Sequence, residues 1–329
     1  MAQLPERSQF SEDLVIQRQI PVFILAIFLL ALATCSPVSE PITIRIGVLP
    51  ILDSLPIYVA QDQGYFEAEG VSLEFVPVAS APERDQLMQA GQLDAMINEV
   101  VSVLLYNRQE VKVVAVRFAR TATAEHPVFR IVASADSGIL DLEGLENTPI
   151  GISEGTVIEY TTDRLLQRAG FAPEEIAKVA VPKIPDRLNL LASGQLAAAN
   201  LPDPAASMAI LNGACLIIDD TSYPEISHSV ISFSKAFVDQ HPEGVKAFLR
   251  AFEKAVDDIN ADPTAWDELL LDEGLLPPPL LGAYRLPPYP AASVPSQAQF
   301  ADALAWAQGK GIVEGEVRYE GSIDGSFLP

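Results

Sequence analysis

The amino-acid sequence predicts an α/β protein with two lobes, each built on a mostly parallel sheet flanked by helices. Two observations support this prediction. Strand-like and helix-like segments alternate from residue 42 onwards, and part of the pattern recurs later in the chain. Such alternation is typical of parallel sheets whose crossover helices cover both faces. A chain of 329 residues is long enough for two lobes with separate cores.

The alternation begins at residues 42–49, where β-branched residues alternate with other residues as expected of a strand. Further strands are predicted at residues 71–78, 93–98 and 111–118, and helices at residues 55–69, 83–90 and 100–108. Gly70 and Gly91 follow the first two helices, and glycine is favoured just beyond a helix C-terminus.

An internal repeat relates residues 76–98 to residues 179–201. When Gly91 is aligned with Gly194, the matching residues are Pro82 with Pro185, Glu83 with Asp186, Arg84 with Arg187, and Gln92-Leu93 with Gln195-Leu196. Both copies predict a strand, a helix that begins at proline, a glycine stop and a strand. Two βαβ units within one sheet would also explain the repeat. The chain length and the polar turns favour two lobes with a cleft between them.

Polar residues follow the predicted strands where two facing sheets would present them to one cleft. In open α/β sheets, ligands bind beyond the carboxyl ends of the strands. The candidate ligand-binding residues at these turns are Asp53, Ser54, Asn98, Glu99, Ser153, Glu154, Gly155, Thr156 and Asp203. The turn at 153–156 precedes a predicted helix, whose free N–H groups hold ligand oxygens well. A plain helix cap by Ser153 or Thr156 explains this turn equally well.

Two aromatic residues, Phe118 and Tyr160, complete the candidate ligand-binding residues. They lie near the predicted cleft or its hinges, as do Phe129, Tyr223 and Phe233. Aromatic side chains at such places stack on flat rings. Taken one at a time, each is better explained by core packing.

Residues 1–34 have the layout of a secretory signal peptide. The apolar run at 21–33 is short for a bilayer span and follows a polar stretch. It ends in a sequence that resembles the bacterial lipobox, in which the cysteine becomes the first mature residue and carries lipid, although Thr34 departs from the usual Gly, Ala or Ser. Cys35 is therefore the predicted lipidation site, and residues 35–41 form a tether. An uncleaved anchor helix is the alternative, and either reading places the rest of the chain outside the cytoplasm.

The composition excludes several classes of partner. With 44 acidic and 21 basic residues, the formal net charge is -23, so the surface repels nucleic acid and anionic lipid headgroups. The two cysteines and three histidines have no spacing typical of a metal site. We expect no nucleic-acid partner, no metal and no cofactor, and contact with the cell membrane through the lipid anchor alone.

Several segments together resemble the solute-binding proteins of the NMT1/THI5-like family, relatives of the nitrate, sulfonate and taurine binders. The resemblance runs from about Ile42 to Ile312. The segments that carry it are Pro56-Ile57-Tyr58-Val59-Ala60, Gly64-Tyr65-Phe66, Glu69-Gly70-Val71, Ala90-Gly91-Gln92-Leu93-Asp94-Ala95, Asp136-Ser137-Gly138-Ile139, Asp141-Leu142-Glu143-Gly144, residues 150–156 and residues 241–248. The chain departs from the family pattern at Glu143, which replaces a lysine beside the glycine, and at Ala197, which replaces the aspartate of the first repeat.

The resemblance implies a type II periplasmic-binding-protein fold with hinge crossings at residues 121–130 and 222–236. Lobe 1 would comprise residues 41–124 and 236–329, and lobe 2 residues 125–225. It also implies an extracytoplasmic component of an ABC-type importer. Such a protein closes its lobes on a small molecule and delivers it to a membrane permease without a catalytic step.

The residues at the cleft turns favour a neutral, flat heteroaromatic vitamin as the ligand. Four carboxylates, those of Asp53, Glu99, Glu154 and Asp203, would disfavour a small hard anion. Riboflavin is the first choice and the aminopyrimidine precursor of thiamine the second. Three alternatives stay open: a binder of nitrate or sulfonate anions, a pyrimidine-forming or menaquinone-pathway enzyme, and a sensor with a separate receptor. An enzyme would need a site such as His126 with His228, one near each hinge.

Overall fold

Two five-stranded sheets form the framework of the part of the chain that the computed structural model describes, Met1 and residues 40–329. The strands are β1 (Ile42–Val48), β2 (Val71–Pro77), β3 (Ala95–Asn98), β4 (Val113–Thr121), β5 (Phe129–Ala133), β6 (Ile150–Ile152), β7 (Lys178–Ala180), β8 (Ala198–Pro202), β9 (Cys215–Asp219) and β10 (His228–Ser234). Cys35, the predicted signal peptide from residue 2 onwards and most of the tether lie outside the described residues.

Helices connect the strands and cover the sheets. They are α1 (Leu55–Asp62), α2 (Tyr65–Ala68), α3 (Ala81–Gln89), α4 (Val100–Asn107), α5 (Val157–Arg168), α6 (Ile184–Ala192), α7 (Ala205–Leu211), α8 (Lys235–Gln240), α9 (Pro242–Ala261), α10 (Asp267–Asp272) and α11 (Gln297–Gly309). The single helix predicted at residues 55–69 is two helices, because Gly64 adopts a left-handed conformation with φ of 69° between α1 and α2. No helix within residues 40–329 has the length and apolar character needed to cross a bilayer.

The two sheets share one topology. The first has the order β2-β1-β3-β10-β4 and the second the order β7-β6-β8-β5-β9. In each sheet, four strands run in one direction and a single strand, β10 or β5, runs antiparallel between two of them. The reversed strand is the one that arrives from the other lobe. The predicted fold, two lobes with mostly parallel sheets flanked by helices, is confirmed.

The chain crosses between the sheets twice. It leaves the first sheet after Thr121 and enters the second at Phe129; it leaves the second after Asp219 and returns at His228. The range 222–236 expected for the return crossing contains all of β10, which pairs on both sides within the first sheet. The connecting segment of the return crossing is therefore residues 220–227.

Two large apolar cores lie beside the sheets. One packs α1 and α9 on the first sheet, with Phe248 and Phe252 at its centre. The other includes side chains of both lobes and of α11, among them Val103, Ile158 and Trp306. Helix α11 falls within the segment expected for lobe 1, yet it contacts both lobes: Trp306 Nε1 donates a hydrogen bond of 2.9 Å to Asp163 on α5.

Residues of the internal repeat pack against a strand glycine in the first lobe. Gly47 lies in β1, and a Cβ atom there would come 2.7 Å from Leu93 Cδ1 and 3.6 Å from Arg84 Cγ. Leu93 and Arg84 both belong to the first copy of the repeat. The glycine therefore makes room for the leucine, and the arginine stem packs across the strand beside it.

The second lobe repeats this arrangement. A Cβ atom at Gly151 in β6 would come 2.4 Å from Leu196 Cδ2 and 3.2 Å from Arg187 Cγ. Leu196 and Arg187 are the repeat partners of the leucine and arginine of the first lobe. Each lobe thus places a buried arginine by the same contact between a helix and a strand glycine.

Gly151→Ala is expected to destabilise the protein by about 1–3 kcal/mol, because Leu196 and the Arg187 stem must move to admit a methyl group. Urea unfolding of the mature protein measures this change. Gly309→Ala is the matched control, since open space surrounds Gly309 at the end of α11; it should leave stability unchanged or slightly raised. Equal stability of the two variants would contradict the close contact at Gly151.

Candidate functional site

A cavity lies between the two lobes, at the carboxyl ends of β1, β3, β6 and β8. Its empty volume is about 640 Å³, including the part open to solvent. The polar residues that line it are Asp53, Ser80, Arg84, Asn98, Glu99, Ser153, Thr156, Arg187, His228 and Ser229. The apolar ones are Leu49, Ile51, Ala81, Ile97, Val128, Phe129, Val157, Ile158, Pro182, Ile184 and Pro202. The lining comes from both lobes, as a site for a bridging ligand requires.

Arg84 lies on the first-lobe wall, in the first turn of α3. Ser80 caps this helix by accepting a hydrogen bond of 3.3 Å from the backbone N–H of Glu83. The guanidinium donates to Asp85 Oδ1 at 2.8 Å and to Glu99 Oε2 at 3.3 Å. Burial alone would lower the pKa of Arg84, but the two carboxylates outweigh this effect and raise it. Arg84 is therefore a cation already neutralised by the protein.

Glu99 follows β3 and reaches the second lobe. Burial raises the pKa of its carboxyl group, while Arg84 and the nearby backbone N–H of Val157 act in the opposite direction. Val157 is the first residue of α5. The Glu99 carboxylate thus lies at the positive end of a second-lobe helix, where a negative charge is favoured.

Asp53 and Asn98 are held by their own lobe. Asp53 accepts a hydrogen bond from Ser229 Oγ and lies 3.7 Å from Arg120 Nη1. Asn98 Oδ1 accepts from Ser232 Oγ at 2.6 Å. These contacts fix the two side chains in the cavity wall before any ligand is present.

The second-lobe wall begins at the turn before α5. Thr156 caps the helix, accepting a hydrogen bond of 3.2 Å from the N–H of Ile158. Its own hydroxyl donates to the carbonyl of Ser153 at 2.7 Å. The Ser153 hydroxyl, although buried, has no hydrogen-bond partner. Gly155 has φ of 68°, and its N–H is taken by Glu159 Oε2 at 2.8 Å.

Arg187 lies on the same wall, in the first turn of α6, and is 0% exposed. Its Nη1 donates to the carbonyl of Val181 at 2.8 Å, whereas Nε and Nη2 have no hydrogen-bond partner. Burial lowers the pKa of Arg187 to about 10, so the side chain stays cationic at neutral pH.

His228 begins β10 and faces the cavity from the first lobe. Its ring packs edge-on against Phe118, with centroids 5.2 Å apart. Nδ1 has no hydrogen-bond partner, and burial lowers the pKa of the imidazole to about 4. His228 is therefore a neutral polar group that can hydrogen-bond to a ligand.

Unpartnered polar atoms concentrate at this cavity. Of the ten buried side-chain N and O atoms without a hydrogen-bond partner in the described part of the chain, five belong to lining residues: Arg84 Nη2, Ser153 Oγ, Arg187 Nε and Nη2, and His228 Nδ1. Arg84 Nη2 lies 2.8 Å from Asp85 but outside hydrogen-bond geometry. Buried polar atoms without partners are costly, so a cluster of them indicates a binding site.

The structure brings together about half of the residues predicted for the site. Those that line the cavity are Asp53, Asn98, Glu99, Ser153 and Thr156. Ser54 instead donates its hydroxyl to the carbonyl of Leu49, and Phe118 lies behind His228. Glu154 is exposed, and it and Gly155 are absent from the lining.

Tyr160 does not cover the cavity as expected. Its hydroxyl donates to Asp302 Oδ2 at 2.6 Å, and its ring packs edge-on against Trp306. Position 160 is one turn beyond the helix start, and the side chain leaves α5 on the face that packs against α11. Tyr160 joins the lobe to the C-terminal helix.

Asp203 also lies elsewhere. Its carboxylate accepts from Tyr284 at 2.8 Å and lies 3.5 Å from Arg130. It lines a second, polar cavity together with His126. Since His126 and His228 line different cavities, the geometry does not support a two-histidine enzyme site.

Sequence reasoning missed Arg84, Arg187 and His228 as cavity residues. Arg117, a basic residue of β4, does not line the cavity and instead donates to Glu253 beside the first apolar core. The repeat did contain the signal, because it aligned Arg84 with Arg187 in the first turn of a helix that follows a strand. Within residues 40–329, no cluster of His, Cys, Asp and Glu has metal-binding geometry.

Comparison with known proteins identifies the family. The protein-family model described as NMT1/THI5 like matches residues 52–265 of the chain. The chain belongs to this family. It is 23% identical to a putative aliphatic sulfonates-binding protein of Bacillus subtilis, over 70% of this chain and 67% of that protein. It is also 23% identical to a 4-amino-5-hydroxymethyl-2-methylpyrimidine phosphate synthase, THI5, of Saccharomyces cerevisiae, over 70% of this chain and 71% of that protein.

A solved structure shares the fold of this family member. The alkanesulfonate-binding protein SsuA of Xanthomonas axonopodis pv. citri, bound to MOPS, superposes with a TM-score of 0.73 at 18% identity. The match covers 87% of this chain and 99% of that one. The periplasmic-binding-protein fold implied by the sequence is thereby confirmed.

His228 should make the protein less stable in acid. The unfolded chain binds a proton near the ordinary pKa of 6.5, whereas the folded imidazole binds one only near 4. Stability contributed by neutral His228 is therefore present above pH 6.5 and is lost as the pH falls to 4, by up to about 3 kcal/mol. Denaturant unfolding across this range should show the loss in the wild type and not in His228→Gln.

The exposed His241 provides the control for this measurement. His241→Gln should follow the wild-type curve. Parallel pH curves for the wild type and His228→Gln would contradict the burial of a neutral imidazole.

Proposed function

We propose that the protein is the extracytoplasmic solute-binding component of an ABC-type importer. It captures a small organic solute between its lobes and delivers it to a membrane permease. The observation that carries the proposal is the cavity at the carboxyl ends of both sheets, with unpartnered polar atoms on both walls. A ligand that contacts both lobes stabilises their closed arrangement.

A binding role is supported by the chemistry of the cavity as well as by relatives. The Nδ1 atom of His228 is not hydrogen-bonded to a nucleophile that the imidazole could activate as a base. The neighbouring hydroxyl of Ser229 donates its hydrogen bond to Asp53 instead. The relatives named as binding proteins favour transport; the yeast relative is named as an enzyme, so catalysis by the same fold is the competing function.

The lining favours an organic solute over a bare inorganic ion. About half of the lining residues are apolar, and Phe129 is one of them. A flat vitamin such as riboflavin or the thiamine pyrimidine precursor suits such a wall. The argument that four carboxylates would disfavour an anion no longer holds, however. Glu154 and Asp203 do not line the cavity, and Glu99 is paired with Arg84.

The proposed location is the outer face of the cell membrane, with lipid on Cys35. Cys35→Ala should then release the protein from the membrane fraction or leave it unprocessed, as fractionation and mass determination would show. Recovery of wild-type protein in the soluble fraction without lipid would contradict the anchor.

Solute binding should compact and stabilise the mature protein without consuming the solute. In a thermal-shift panel of riboflavin, the aminopyrimidine precursor, taurine and nitrate, we expect an organic member to raise the melting temperature. At a hundredfold excess over Kd, binding should add about 2.7 kcal/mol to the free energy of unfolding. Small-angle scattering should report a smaller radius of gyration with the same solute. Mass spectrometry should recover the solute unchanged, and a chemical product would favour the enzyme.

A further inference from the structure

The two arginines of the internal repeat differ in their acidic partners. Arg84 and Arg187 occupy equivalent positions on opposite walls of the cavity. Arg84 lies beside two carboxylates, those of Asp85 and Glu99, and forms ion pairs of 2.8 and 3.3 Å with them. Its charge is balanced within the first lobe.

The second copy of the repeat lacks both acids. Where the first copy has Asp85 and Glu99, the second has Leu188 and Pro202. Arg187 therefore makes one hydrogen bond, to the carbonyl of Val181, and forms no ion pair with the described residues. A cation that is 0% exposed and lacks an anion is costly unless a partner binds to it.

The start of α5 is the other positive feature of this wall, and carboxylates of the protein already occupy it. The Glu99 carboxylate lies near the backbone N–H of Val157, and Glu159 accepts a hydrogen bond from the backbone N–H of Gly155 at 2.8 Å. The Gly155 N–H is therefore not free for a ligand anion, and both carboxylates are already paired, Glu99 with Arg84 and Glu159 with Lys178 and Lys310. Arg187 is left as the positive group of the wall that has no carboxylate beside it.

We propose that Arg187 is the anion-binding residue of the cavity and that the solute is an organic anion. Its carboxylate or sulfonate would accept hydrogen bonds from Nε and Nη2 of Arg187, the edge of the guanidinium that matches two oxygens of such a group. The rest of the molecule would lie against the apolar wall near Phe129 and Ile158. This inference rests on the proposed solute-binding function and adds the charge of the solute to it.

Arg187→Met tests the proposal first without any ligand. Methionine keeps the unbranched stem that crosses Gly151 and removes the buried charge. If Arg187 serves the ligand, the ligand-free variant melts at or above the wild-type temperature, because an unpaired buried charge is gone. A clearly lower melting temperature would show that the charge serves the fold, and would overturn the proposal.

The ligand test uses pairs of probes that share a flat body and differ in charge. These are nicotinate with nicotinamide, and benzenesulfonate with benzenesulfonamide; methanesulfonate at high millimolar concentration is compared with chloride at equal ionic strength. In the wild type, the anionic member of each pair should bind more tightly. Arg187→Met should weaken anion binding about tenfold or more and leave the neutral members nearly unchanged.

Arg164→Met is the matched control, since Arg164 is on the same lobe but pairs with Asp302 away from the cavity. It should keep the wild-type preference for anions. The proposal is overturned if the preference survives in Arg187→Met, if neutral probes bind the wild type equally well, or if methanesulfonate gives no more stabilisation than chloride. Compaction by a neutral solute alone would overturn the role of Arg187 and leave solute binding intact. Failure of every solute to compact the protein would count against solute binding itself.

Discussion

The site depends on one contact that each lobe makes, that of a helix side chain on a strand glycine. Gly47 and Gly151 lie in the strands at equivalent places, and each admits a leucine and an arginine stem within van der Waals distance. A Cβ at either position would clash with the leucine, and at Gly151 it would also press on the arginine stem. Arg84 and Arg187 are buried, and both line the cavity at the carboxyl edges of their sheets.

The electrostatics of the cavity follow from this duplicated placement. A buried cation needs a partner, and the first lobe supplies carboxylates to Arg84. Glu99 also meets the start of α5, so that one carboxylate joins an arginine of one lobe to a helix end of the other. Among the described residues, the second lobe supplies no carboxylate to Arg187. The two lobes therefore have similar backbones but different charges on the walls that they present to a solute.

The sequence predicted the fold well because the fold is encoded locally. Strand alternation, glycine stops and the repeat gave the order of elements and the two lobes. Residues at or just beyond the predicted strand ends, such as Asp53, Asn98 and Glu99, do line the cavity. The direction of a side chain on a helix was harder to predict. Tyr160 points to α11 and Arg187 to the cavity, and this difference depends on which helix packs where. His228 was not predicted as a cavity residue because β10 enters the first sheet from the other lobe, and no local sequence pattern reveals this long-range pairing.

Helix α11 adds a constraint on how the lobes can move. Trp306 and Asp302 bind Asp163 and Tyr160 on α5, and the apolar side chains of α11 belong to a core that includes both lobes. A hinge motion about the two crossings must either keep these contacts or exchange them for water. Well-packed apolar cores resist continuous deformation and favour discrete arrangements. The contacts of α11 with α5 therefore restrict the arrangements that the two lobes can adopt around the cavity.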